Sequence, residues 1–77
     1  MTRNDAIKLI LEELDKAEVK FPKWPQDIIH GVAIMAEETG ESVQAALDFV
    51  YSDGDVEKIK KEVAQSGAMA IRNLMHL

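Results

Sequence analysis

The stretch MAEETGESVQAALDFV, residues 35–50, sets three glutamates inside what otherwise reads as an apolar helix. Met35, Val43, Ala46, Phe49 and Val50 recur at helical spacing, and the run is too long for an ordinary strand. Extended backwards, the same phase collects Ile28 and Val32, so the helix is predicted to start after Asp27, a good N-cap, and to run to about Tyr51. Gly31 and Gly40 are unfavourable inside it, each by up to about 1 kcal/mol relative to alanine. Glu37, Glu38 and Glu41 are the anomaly. A helix seeking only stability rarely sets charge beside its apolar arc.

The flanking segments complete an all-α class. Ile7, Ile10, Leu11 and Leu14 follow i, i+3, i+4, i+7 spacing and predict a first helix from Asn4 or Asp5, both candidate caps, to Val19. Phe21-Pro22-Lys23-Trp24-Pro25 ends it, because proline lacks the amide hydrogen and restricts the residue before it. Ser52-Asp53-Gly54-Asp55 is a turn, and a third helix runs from Asp55 or Val56 to nearly the end, with Val56, Ile59, Val63, Ala70 and Leu74 on one side. The acidic turn is not a calcium loop: an EF-hand starting at Asp53 requires glycine and glutamate where Lys58 and Ala64 stand. The expected architecture is one domain over residues 1–77, with the second and third helices as a long antiparallel pair.

Composition narrows the function. The chain has 77 residues and a net charge of −5, and it lacks cysteine. The negative charge argues against a nucleic-acid polymer as partner, since phosphate backbones require a basic stripe. Neither a signal segment nor the roughly 20-residue apolar run of a membrane span is visible. A cytoplasmic location is the expectation, which the absence of cysteine fits. A chain this short buries only about 60% of its unfolded surface. A ridge of Ala64, Ala68, Ile71 and Met75 with Gly67 beside it, and Ala33, Leu47 and Tyr51 on the second helix, lie away from the apolar arcs. They are expected to pack against another protomer in a four-helix-type bundle.

At about 100° per residue, Glu38 and Glu41 share a face that borders the second helix's apolar arc beside Ile34, Ser42 and Ala45, while Glu37 points further round. On the third helix Glu62 and Gln65 repeat that spacing on the same rotational side. An antiparallel hairpin would bring these four side chains together at one core edge. Converging carboxylates repel and lose hydration, and a divalent cation is the simplest compensation. Oxygen-only ligands point to Mg²⁺ or Mn²⁺ rather than zinc. The competing reading is a solvated acidic face with lysine partners.

Glu37-Glu38-Thr39-Gly40-Glu41 is an EExxE motif, followed after twenty residues by Glu62-Val63-Ala64-Gln65. The pair resembles the EExxE…ExxD signature of the all-α NTP pyrophosphohydrolases, the superfamily of MazG, phosphoribosyl-ATP pyrophosphohydrolase and the dimeric dUTPases. Trp24-Pro25, the AEETGE run and QSGAMAIR from Gln65 to Arg72 are similar to small MazG-like proteins, so the likeness spans about Phe21 to Leu74. It implies that Glu38, Glu41, Glu62 and the fourth position hold Mg²⁺, which binds the triphosphate of a nucleoside triphosphate. Water then attacks the α-phosphorus, with Glu37 or Glu38 as the catalytic carboxylate, to give a nucleoside monophosphate and pyrophosphate. It also implies a homodimer or homotetramer. Gln65 departs from the pattern, because an amide oxygen ligates without charge.

Lys58, Arg72 and Asn73 lie on or near the Glu62 face and are candidates to meet phosphate oxygens, against a competing role as solvated or helix-capping groups. Trp24 either stacks on a base or pins its loop to the core. His30, a turn or two before Glu37, is a candidate site residue whose competing reading is helix packing. Two other functions stay open: a non-catalytic helical interaction module that keeps the scaffold, and a phosphoribosyl-nucleotide pyrophosphohydrolase.

Overall fold

A computed structural model describes all of residues 1–77 as three helices and no strand: α1 (Arg3–Lys20), α2 (Ile28–Tyr51) and α3 (Val56–Met75). None of them is long and apolar enough to cross a membrane. α1 begins one or two residues before the expected Asn4 or Asp5. Thr2 is the cap, and its hydroxyl accepts from the Asp5 amide at 3.1 Å while the Asp5 carboxylate accepts from the Thr2 amide at 3.2 Å. This reciprocal capping box satisfies two otherwise orphaned donors, so Asp5 supports the cap rather than forming it. Asp27 caps α2 through the amides of Ile29 and His30, and Asp55 caps α3 through that of Glu57.

α3 is the central element. It packs against both α1 and α2, which do not approach each other closely. The α1–α3 seam holds the core, where Leu14, Met69 and the fully enclosed Ala68 meet, with Ala17, Trp24, Ile34, Met35 and Ile71 against them. Ile10 lies directly over Gly67, where an added Cβ would stand 3.1 Å from Ile10 Cδ1. Small residues on α3 therefore do admit a close helix, as their pattern suggests, but that helix is α1 of the same chain. Ala64 and Ala68 are thus buried within the protomer and Ile71 half-buried, and of the expected ridge only Met75 is exposed.

The α2–α3 seam also departs from expectation. Gly31 and Ala45 are buried, and Ile34, Glu38 and Ser42 half-buried, along a stripe at i, i+3, i+7, i+11 and i+14. Most of the wide apolar arc expected to pack against α3 is turned away: Ile28, Val32, Val43, Phe49 and Val50 are exposed, as are Val63 and Leu74 on α3, while Met35 and Ala46 are half-buried. The reason is steric. Two helices approach most closely where their side chains are small, and Gly31 lets Asn73 and Trp24 come against bare backbone. Asn73 Nδ2 donates to the Gly31 carbonyl at 3.0 Å, and Thr39 Oγ1 meets Ser66 Oγ at 2.8 Å.

The two α2 glycines should respond oppositely to alanine. A Cβ at Gly31 would sit 2.9 Å from Asn73 Oδ1 and 3.1 Å from Trp24 Nε1, whereas nothing lies within 4 Å of one at Gly40. Gly31→Ala is expected to destabilise by about 1–3 kcal/mol through overpacking, and Gly40→Ala to stabilise by about 0.5–1 kcal/mol through helix propensity. Urea unfolding of both variants checks this; equal effects would mean that Gly31 is not a packing glycine.

Candidate metal centre and adjoining cleft

Glu38 and Glu41 stand one turn apart on α2 and face Glu62 of α3, brought together because the small-residue stripe sets the two helices close. One carboxylate oxygen from each lies within 4.8 Å of the others. Glu62 is 8% exposed, Glu38 half-buried and Glu41 exposed. Cationic relief is slight: Lys58 Nζ is 4.0 Å from Glu62 Oε1, and Lys58 itself is exposed, the kind of ion pair that contributes little. One oxygen of Glu38 and one of Glu62, both Oε2, are buried without any hydrogen-bond partner.

The electrostatic consequence is a reluctance to ionise. Burial, and next the charges of Glu41 and Glu62, push the Glu38 carboxyl above its ordinary value of 4.5. Burial does the same to Glu62, followed by a proton-sharing contact with Glu41 and by Glu41's charge, with Lys58 and Lys61 opposing. The donor set fits a hard divalent cation. Octahedral Mg²⁺ holds oxygens at about 2.1 Å, so opposite ligands lie about 4.2 Å apart. A trio within 4.8 Å closes on such an ion by small side-chain rotations. Two buried, unpartnered oxygens in that trio are the acceptors a cation would satisfy.

Glu38 also lines a cleft of about 570 Å³ bounded by the C-terminal half of α1, the loop around Phe21–Pro25, one turn of α2 at Ile34 and Glu38, and α3. Five of the chain's nine lysines and arginines line it, namely Lys16, Lys20, Lys23, Lys61 and Arg72. On a protein of net charge −5 that makes a basic concavity in an acidic molecule. Its floor is apolar, with Ala17, Ile34, Ala68 and Met69.

The other candidates divide. Gln65 lines the cleft, and its amide donates to Glu13 Oε2 at 3.5 Å. Glu37 is exposed outside the trio and adds to the charge acting on Glu38. Arg72 is 4% exposed; it donates to the Phe21 carbonyl at 2.8 Å and the Ala17 carbonyl at 3.5 Å, and its guanidinium lies 4.7 Å from the Trp24 ring centre. Arg72 Nε has no partner and no carboxylate pairs with this side chain. Trp24 also stacks with His76, so its ring is engaged in holding the loop to α3. Asn73 ties the two helices through the Gly31 and Met69 carbonyls. His30 is exposed in the first turn of α2, away from the cleft lining.

Glu13 is the residue that pattern reading missed. It is 5% exposed and faces Gln65 across the cleft. A signal was present, since Glu13 lies between Ile10 and Ala17 on the buried stripe of α1, the same anomaly that singled out the α2 glutamates. The four lysines left no such signal, because they come from three separate segments.

Comparison of the chain with protein-family models, with curated proteins and with solved structures finds no match.

The raised carboxyls fix the sign of a pH effect. A group protonated more readily in the folded state contributes stability that is fully present below its unfolded value, here 4.5, and lost as pH rises through the folded value. In a chelator, wild type should therefore lose melting temperature relative to Glu38→Gln as pH climbs from about 4.5 to 7.5. Thermal melts across that range decide; parallel curves would mean that Glu38 is unstrained.

Proposed function

We propose that the protein is a Mg²⁺-dependent nucleoside triphosphate pyrophosphohydrolase, with Mn²⁺ as the alternative ion. The observation that carries this reading is the position of Glu38, which belongs to the carboxylate trio and lines the basic cleft at once. A cation-binding cluster contiguous with a cationic, apolar-floored concavity suits a ligand with a polyphosphate at one end and a base at the other. The resemblance of EExxE and ExxQ to the MazG-like signature points the same way. So does the relation of α2 to α3, since the Gly31–Asn73 and Thr39–Ser66 contacts fit an antiparallel hairpin.

Glu38, Glu41 and Glu62 would hold the ion, with Gln65 as the neutral fourth candidate. When bound, Mg²⁺ neutralises phosphate charge and polarises the bond to be broken. Lys61 and the α1 lysines hold the triphosphate against the cleft. Glu37, left outside the trio, takes a proton from the attacking water. The water oxygen bonds to the α-phosphorus, the bond from that phosphorus to the bridging oxygen breaks, and pyrophosphate leaves with the electron pair. Arg72 and Asn73 serve this site by positioning the loop and the α2–α3 seam, and Lys58 by pairing with Glu62.

The exposed apolar arc of α2 supports the assembly expected of such a domain, a homodimer or homotetramer completing a four-helix-type bundle in the cytoplasm. The same arc, with Gln65, is also what a non-catalytic helical interaction module would offer, and the activity assay separates the two readings.

Nucleoside triphosphates incubated with Mg²⁺ should release pyrophosphate rather than orthophosphate, and Glu38→Gln and Glu62→Gln should each lower the rate by about 10²-fold or more. Millimolar-scale Mg²⁺ should raise the wild-type melting temperature and leave Glu38→Gln nearly unmoved. Absence of pyrophosphate release from every triphosphate tried would overturn the enzymatic reading.

Assembly has its own check. Light scattering should give a multiple of 8.6 kDa for wild type. Phe49→Lys, on the exposed arc, should reduce the mass to a single protomer with helicity retained. A wild-type mass of one protomer would end the oligomeric proposal.

A further inference from the structure

Glu13 has no role in the chemistry described above, yet it is a carboxylate 95% removed from solvent on the wall of the cleft. Its two recorded partners, Lys16 Nζ to Oε1 and Gln65 Nε2 to Oε2, both stand at 3.5 Å. Charge-assisted hydrogen bonds close to about 2.7–2.9 Å when they form fully. Each oxygen thus has a single long contact and keeps a lone pair for a donor that approaches through the cleft. Beside them lie the apolar walls of Ala17, Ile34, Ala68 and Met69, and the surrounding lining carries Lys16, Lys20, Lys23 and Lys61. A fitting ligand has an anionic end, a flat apolar body, and two adjacent N–H donors on one edge.

We propose that Glu13 is a base-reading residue that selects guanine nucleotides, its two carboxylate oxygens accepting from guanine N1–H and the 2-amino group while the lysines meet the phosphate. Only guanine among the common bases presents two neighbouring donors on its pairing edge. Adenine and cytosine set an amino donor beside a ring nitrogen that only accepts, so one carboxylate oxygen would face a lone pair. Uracil flanks its single N–H with two carbonyls, which a carboxylate repels. Discrimination of this kind is strong, because a buried acceptor left unpaired penalises the wrong ligand. The choice of a nucleotide as ligand rests on the function proposed above, but base reading requires neither the metal nor hydrolysis.

Binding of guanosine, inosine, adenosine, cytidine and uridine monophosphates is therefore measured calorimetrically in a chelator at neutral pH. Guanosine monophosphate should bind at least about tenfold more tightly than the others, inosine monophosphate included, since it lacks only the 2-amino donor. Glu13→Gln, which replaces one acceptor by a donor, should lose that preference while keeping its melting temperature. Equal binding of guanosine and inosine monophosphates, no binding of guanosine monophosphate, or an unchanged preference in folded Glu13→Gln would each overturn the proposal. If the variant does not fold, the wild-type ranking decides by itself. The two readings fail separately. A guanine preference without pyrophosphate release removes the enzyme and keeps Glu13, whereas hydrolysis without a base preference does the reverse.

Discussion

The close approach of α2 to α3 along the Gly31–Ala45 stripe is the constraint on which the rest depends. It follows from what those positions lack: side-chain bulk. With Gly31 bare against Asn73 and Trp24, the helices come near enough for the Asn73–Gly31 and Thr39–Ser66 hydrogen bonds to form. That same approach forces Glu38 and Glu62 into a seam where neither can be fully hydrated. A domain of this size has a net stability of only about 4–12 kcal/mol. Two underserved carboxylates are a substantial opposing term on that scale, because each buried unpaired polar group costs about 1–3 kcal/mol. The seam is therefore tolerable in isolation, at a cost that a bound cation would reduce.

A second consequence concerns the loop between α1 and α2. Because α3 occupies the middle, α1 and α2 lie on its two flanks and residues 21–27 must pass from one to the other. Arg72 ties that crossing to α3, donating to the Phe21 and Ala17 carbonyls while lying against Trp24, itself stacked with His76. The cleft is the space this arrangement leaves between helix and loop. Its basic lining is a product of assembly, since α1, the loop and α3 each bring lysine to it. Glu13 and Glu38 supply the only acidic groups there.

Much of the organisation is legible in the sequence alone. Helical periodicity, the proline pair, the Ser52–Asp55 turn and Asp27 as a cap describe local chemistry, and each element appears within a few residues of its expected bounds. The exception at Thr2 arose because a capping box extends a helix beyond its last apolar repeat. The meeting of Glu38, Glu41 and Glu62 was also legible, because helical phase and one short turn are enough to place them on facing sides. Packing was read less well. Hydrophobicity identified an arc on α2 that would lie against α3, yet most of the arc is exposed and the small, partly polar border makes the contact.

What the sequence by itself determined is therefore the local layer: three helices, their caps and breaks, and the register that lets one carboxylate trio form. These depend on interactions among residues three or four apart, which a linear reading can inspect directly. Tertiary structure alone decided that α3 is central, that Ala64 and Ala68 are covered by α1 of the same chain, and that Glu13, Lys61 and Arg72 line one cleft. Those outcomes turn on which of two available faces approaches more closely. That choice belongs to steric fit between surfaces, which hydrophobic phase does not encode.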